Sequence, residues 1–177
     1  MPVDVMITGK ASNHPQKEKL SLIITRRLAT IFHALELPDP EVSVVLTDDE
    51  TIRQLNAQWR GIDEATDVLS FPIYEAGELP LAPPHLGDIV ISVPCAQRMV
   101  QSEEHRSRVA EDLGVPPDQL VWALPEEVAF LFVHGLLHLV GYDHATTNQE
   151  AQMRQMEHRI WEMITTDPHP DGSHGTS

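Results

Sequence analysis

The stretch HGLLHLVGYDH, residues 134–144, decides how this chain is read. Its histidines are spaced by four and then six residues, with Gly141 between the second and third. On an α-helix, four residues advance the chain by about 6 Å and return the side chain to nearly the same direction, so His134 and His138 share one face. Neutral imidazoles are good ligands for zinc and similar first-row ions, and a pair at this spacing can grip one ion from one side. Glycine adopts the left-handed conformation that ends a helix, and a turn there returns His144 toward the same ion. Three ligands leave a position open for water or substrate, the arrangement of a catalytic zinc rather than a structural one.

The spacing matches the long zinc-protease pattern H-E-x-x-H-x-x-G-x-x-H everywhere except at the glutamate, where Gly135 stands. That glutamate takes the proton from zinc-bound water and gives it to the leaving amine, and glycine can do neither. A metalloprotease is therefore disfavoured; it returns only if another carboxylate, such as Glu127, reaches the site. A reaction with a phosphate leaving group needs other help, a cation to hold the phosphoryl oxygens and offset growing charge.

Working outward, Pro125, Glu126 and Glu127 open the histidine helix, since proline and negative charge both suit a first turn. Alternating or β-branched runs predict strands over 3–8, 41–47, 67–72 and 87–92. A helical stripe from Gln16 to Leu37 carries Leu20, Ile23, Ile24, Ile31, Phe32 and Leu35. TDDE at 47–50 has capping-box form and predicts a helix from Asp48 to Trp59. Ser92 caps a further helix from Pro94 to Leu113, 114–125 is an irregular insertion or short helical turn, and TNQE at 147–150 opens a last helix with a second capping box. The order is β-α-β-α-β-β-α-α-α, which predicts an α+β fold: a mixed sheet of about four strands packed with helices, one of them a zincin-like three-histidine metal helix. Residues 1–165 read as a single domain and 166–177, with no apolar content to bury, as a disordered tail.

The 177 residues suffice to bury a continuous core, and 41% hydrophobic with 22% charged residues is ordinary for a globular protein. The single cysteine, Cys95, excludes an internal disulfide, and the opening MPVDVMITGK lacks a basic segment followed by an apolar one, so a cytoplasmic location is expected. The longest greasy run, VAFLFVHGLLHLVG, is shorter than the roughly 20 residues that cross a bilayer. Twenty-seven acidic residues against 12 basic ones give a formal net charge of −15, the wrong balance for a broad electrostatic hold on nucleic acid. Any contact with RNA is then local. Of the ten histidines, His14, His33, His85, His105, His158, His169 and His174 are assigned no function.

HGLLHLVGYDH resembles the signature of the YbeY family, bacterial metal-dependent endoribonucleases of ribosomal RNA maturation. LNAQWRGIDEATDVLSFP (55–72) resembles the family's N-x-x-[aromatic]-R and T-D-V-L-S-F-P motif, and LGDIVIS (86–92) its next strand; the match runs from about residue 3 to 165. The resemblance implies that His134, His138 and His144 hold one zinc ion per chain, other divalent first-row metals being alternatives, and that Arg60 is the catalytic arginine that meets the RNA phosphate. An arginine makes forked, charge-assisted contacts to phosphate oxygens, which agrees with that role. It further implies a single-strand-specific endoribonuclease acting in small-subunit rRNA 3′ end processing and ribosome quality control. The expected partners are ribosomal RNA, the small subunit and its assembly proteins, the GTPase Era among the candidates, and no membrane. The alternative is a ribosome-assembly factor with a structural metal and little nuclease activity. Ala65 replaces the family's usual proline, which loosens a loop, and the 114–125 insertion lengthens the approach to the histidine helix, its bearing on access to the cleft being open. Asp143 either orients an imidazole or caps the turn.

Overall fold

Strands that alternate or run buried and a helix that is apolar on nearly every side build the frame that carries the histidines. The structure, a computed structural model, describes residues 3–165. The segment read as a disordered tail, 166–177, lies outside the described residues. Strands β1 (Val3–Ile7), β2 (Glu41–Thr47), β3 (Val68–Pro72) and β4 (His85–Ser92) form one sheet in the order β1-β2-β4-β3. β1, β2 and β4 run parallel, and β3 pairs antiparallel with β4 at the edge. Six α-helices surround it: α1 (Lys17–Ala34), α2 (Asp49–Arg60), α3 (Val93–Gln101), α4 (Glu103–Leu113), α5 (Leu124–Leu139) and α6 (Thr147–Thr165). The predicted α+β fold with a four-stranded mixed sheet is the observed one.

Alternation divides the sheet into two faces. Val42, Val44 and Leu46 of β2 and Ile89 and Ile91 of β4 join the main core with α1 and α5. Val90 of β4 and Leu69 of β3 point the other way, onto Ile52 of α2, with Val45, Leu55 and Phe71 packed around them. α5 lies across β3 and β4 and also packs on α1, α3 and α6, so a helix hydrophobic all round is the buried centre of the layer. Leu136 and Leu137 are fully buried there. Truncating either to alanine would cost about 2–5 kcal/mol.

Gly135 lets α5 come this close. A Cβ at that position would stand 2.9 Å from Ile89 Cγ2 and 3.1 Å from Ser70 Oγ, while Ser70 Oγ donates to the Gly135 carbonyl at 3.1 Å. Ile89 is a fully buried, β-branched strand residue with no freedom to retreat. The missing protease glutamate is thus also a packing demand: position 135 faces the sheet.

Several boundaries differ from expectation. The N-cap of α2 is Asp48, whose Oδ1 accepts from Thr51 N at 2.9 Å while Oδ2 accepts from Lys10 N at 2.8 Å; Thr47 instead receives the Thr8 hydroxyl. At α6 the reciprocal box is Thr146 with Gln149, not Thr147 with Glu150: Gln149 N donates to Thr146 Oγ1 and Thr146 N to Gln149 Oε1. The expected helix from Pro94 to Leu113 is two helices. Ser92 does cap the first, accepting from Cys95 N, but Ser102 breaks the run by accepting from His105 N and restarting the chain as α4.

Candidate metal centre and cleft

α5 ends in the turn that its glycine predicts. Gly141 has φ +102°, its N–H donates to the His138 carbonyl, and Tyr142 N donates to the Leu137 carbonyl, the paired bonds of a Schellman motif. A Cβ there would meet nothing closer than Ala76 Cα at 3.7 Å, so backbone conformation rather than space requires the glycine. The reversal brings His144 back: the ligand-capable nitrogens of His134, His138 and His144 all lie within 4.8 Å of one another.

The outer ring nitrogens are held by acceptors. His138 Nδ1 donates to the Tyr142 carbonyl at 2.9 Å, and His134 Nδ1 donates to Glu157 Oε1 of α6 at 2.7 Å. A carbonyl only accepts, so the His138 proton sits on Nδ1 and its Nε2 presents a lone pair. The Glu157 carboxylate imposes the same tautomer on His134. Burial, reinforced by the neighbouring imidazoles of His134 and His144, pushes the His138 pKa below the ordinary histidine value and favours the neutral, ligating form. The two Nε2 atoms are 3.1 Å apart. Tetrahedral Zn–N bonds would set such nitrogens about 3.3 Å apart, close to that spacing. The donor set therefore fits a zinc-like ion.

A cavity of about 550 Å³ opens at these histidines. Arg60, Ser70, Tyr74 and Asp143 line it with them. α2 packs on the other face of the sheet, so Arg60, its last residue, reaches the cavity past the edge strand β3. Arg53, Arg98, Arg108 and Arg154 each pair with a carboxylate, whereas Arg60 has no ion-pair partner among the described residues. Its guanidinium is free for an anion. Asp143 closes the turn, Oδ1 accepting from His144 N at 2.7 Å; the His144 ring nitrogen, at 3.4 Å, lies beyond a good hydrogen bond.

The model of the family "Endoribonuclease YbeY" matches residues 6–165. The chain belongs to the YbeY family. It is 40% identical over 159 residues to the Endoribonuclease YbeY of Heliobacterium modesticaldum, covering 82% of this chain and 84% of that one. It is 42% identical over 137 residues to that of Thermus thermophilus (77% and 86% covered), and 35% identical over 178 residues to that of Rhizobium meliloti (96% of each).

Within this YbeY chain, the residues that sequence reasoning missed are Glu157 and the Tyr142 carbonyl, which fix the two imidazoles. Glu157 follows His144 by 13 residues on another helix, and no spacing rule links them. Glu127 does not serve the cavity: its Oε2 accepts from Trp122 Nε1 at 2.6 Å and bonds His105 Nε2 at 2.8 Å, and it lies two helical turns before His134. The insertion 114–125 also lies away from the cavity. None of its residues lines the cavity; it holds a 3₁₀ turn (Pro117–Gln119) and packs Trp122 with Val109, Ala129 and Trp161. The described residues include no helix long and apolar enough to cross a membrane.

Proposed function

We propose that this protein is a metal-dependent endoribonuclease that cleaves single-stranded ribosomal RNA, with small-subunit rRNA 3′ end processing and ribosome quality control as its setting. The observation that carries the reading is one cavity lined by three convergent histidines and an unpaired arginine. His134, His138 and His144 would hold zinc by their cavity-facing nitrogens. When bound there, the ion supplies Lewis acidity toward a phosphoryl oxygen and toward water. Arg60 binds the scissile phosphate through forked hydrogen bonds and offsets the charge that grows on its oxygens. Glu157 and the Tyr142 carbonyl keep the His134 and His138 rings oriented and their Nε2 atoms free of protons. The absence of a glutamate at 135, and the engagement of Glu127 elsewhere, weigh against peptide hydrolysis.

The formal charge of −15 supports delivery to RNA by ribosomal small-subunit and assembly partners, the GTPase Era among the candidates, and hence a cytoplasmic protein. The test is cleavage of a single-stranded RNA by the purified protein beside Arg60→Ala, both matched for folding and metal content. Loss of cleavage in the variant is expected. Equal cleavage would remove Arg60 from the chemistry, and cleavage by neither protein would leave an assembly factor with a structural metal as the better account.

A further inference from the structure

All nine aromatic side chains lie within the described residues, and Trp59 alone is exposed. It shows 65% of its surface, against 4% for Trp122 and 9% for Trp161. It lies in the last turn of α2, immediately before Arg60, the residue that reaches the cavity. Among the described residues its one aromatic contact is with Phe71 of β3, ring centroids 6.3 Å apart and planes at 66°. An edge-to-face contact of this kind steadies the indole and covers at most one of its faces. An indole of that size left in water on a helix end is out of keeping with the burial of the other two tryptophans.

We propose that Trp59 is a stacking platform for a nucleobase of single-stranded RNA, next to the phosphate held at Arg60. The proposal rests on the endoribonuclease reading and names the subsite that gives it a preference for unpaired strands. Three observations carry it. The ring and the guanidinium leave adjacent positions in the last turn of α2 and diverge by about 100°, so their tips stand several Å apart, as the base and the phosphate of one nucleotide do across its sugar. Every base has a π-face, and single-stranded RNA is held largely by stacking on aromatic side chains; a base paired within a helix does not offer that face. A formal net charge of −15 also gives the chain little broad electrostatic hold on RNA. The other arginine in this part of α2, Arg53, is already paired with Glu50 and Asp63. Stacking holds a nucleotide without adding to the charge problem.

The experiment compares the zinc-loaded wild type, Trp59→Ala and Trp59→Phe on a single-stranded oligoribonucleotide and on copies in which one residue at a time near the cut is abasic. For Trp59→Ala, KM should rise by about 5- to 100-fold, with a smaller change in kcat, while Trp59→Phe retains most of the affinity. With the stacked base removed, wild type and Trp59→Ala should converge. Equal KM values on the intact strand, or a penalty that persists on every abasic copy, would overturn the platform while leaving cleavage in place. Quenching of indole fluorescence by the same oligonucleotide separates the two readings if the wild type does not cleave. Quenching present in wild type and absent in Trp59→Phe would uphold the platform without the nuclease, and no quenching would overturn it.

Discussion

Near the start of α5, Glu127 takes hydrogen bonds from Trp122 and His105; near its end, His134 gives its Nδ1 hydrogen to Glu157 at 2.7 Å. The partners are the same and the lengths differ by 0.1 Å, yet the carboxylates differ in burial. Glu127 is 0% exposed and its Oε1 has no partner among the described residues. His134 lines the cavity and Glu157 stands behind its ring, with side chains 28% and 14% exposed. A sealed pair ties α4 and the 114–125 segment onto α5. A pair at the rim orients a ring whose other nitrogen faces open space. A histidine–carboxylate contact therefore becomes part of a site only through what its second nitrogen sees.

The largest effect should come from breaking the sealed pair. His105→Ala leaves Glu127 buried with Trp122 alone and should cost about 3 kcal/mol in denaturant unfolding, with zinc affinity unchanged. A parallel fall in zinc affinity would show that the two ends of α5 are not independent. At the rim the pattern should reverse: Glu157→Ala should weaken zinc binding by about 10- to 100-fold in a competition titration while changing apo-protein stability little. Unaltered zinc affinity would break the comparison at that end. Between the two, Gly135→Ala forces a Cβ against Ile89 and Ser70. Overpacking should outweigh the gain in helix propensity, for a net loss of about 1–2 kcal/mol by thermal unfolding.

The smallest effect concerns the helix that carries Arg60. Amide donation from Lys10 and Thr51 holds the Asp48 carboxyl below its usual range. Its folded pKa is depressed, so the stabilisation is complete above the unfolded value of 3.8 and is lost as pH falls through the folded one. Asp48→Ala should cost about 1 kcal/mol at neutral pH, and the gap between variant and wild type should close as acid protonates the cap. A gap independent of pH would assign the effect to packing instead.

The same contrast explains what could be read from the sequence. The histidine triplet was legible because His134, His138 and the Gly141 turn obey local periodicity, and His144 follows within three residues. The strands were legible because each alternates or runs apolar. Cap positions slipped by one residue because TDDE and ATTNQE each offer overlapping acceptors, and only the folded backbone chooses among them. The break at Ser102 was hidden by helix-favouring residues on both sides, and Trp122 by the prolines that marked its segment as loop. Glu157 and the His105–Glu127 contact were illegible for a deeper reason: both join residues on different helices, and their meeting depends on how α4 and α6 pack against α5.

If His134, His138 and His144 form one ion site at the cleft rather than a structural clamp for the fold, zinc binding and folding should separate. Calorimetric titration of the metal-stripped chain with zinc, wild type beside His144→Ala, tests it most directly. One ion per chain is expected in the wild type and loss of tight binding in the variant, with both proteins equally folded by circular dichroism before zinc is added. Tight binding retained by His144→Ala, or a variant that fails to fold, would contradict it.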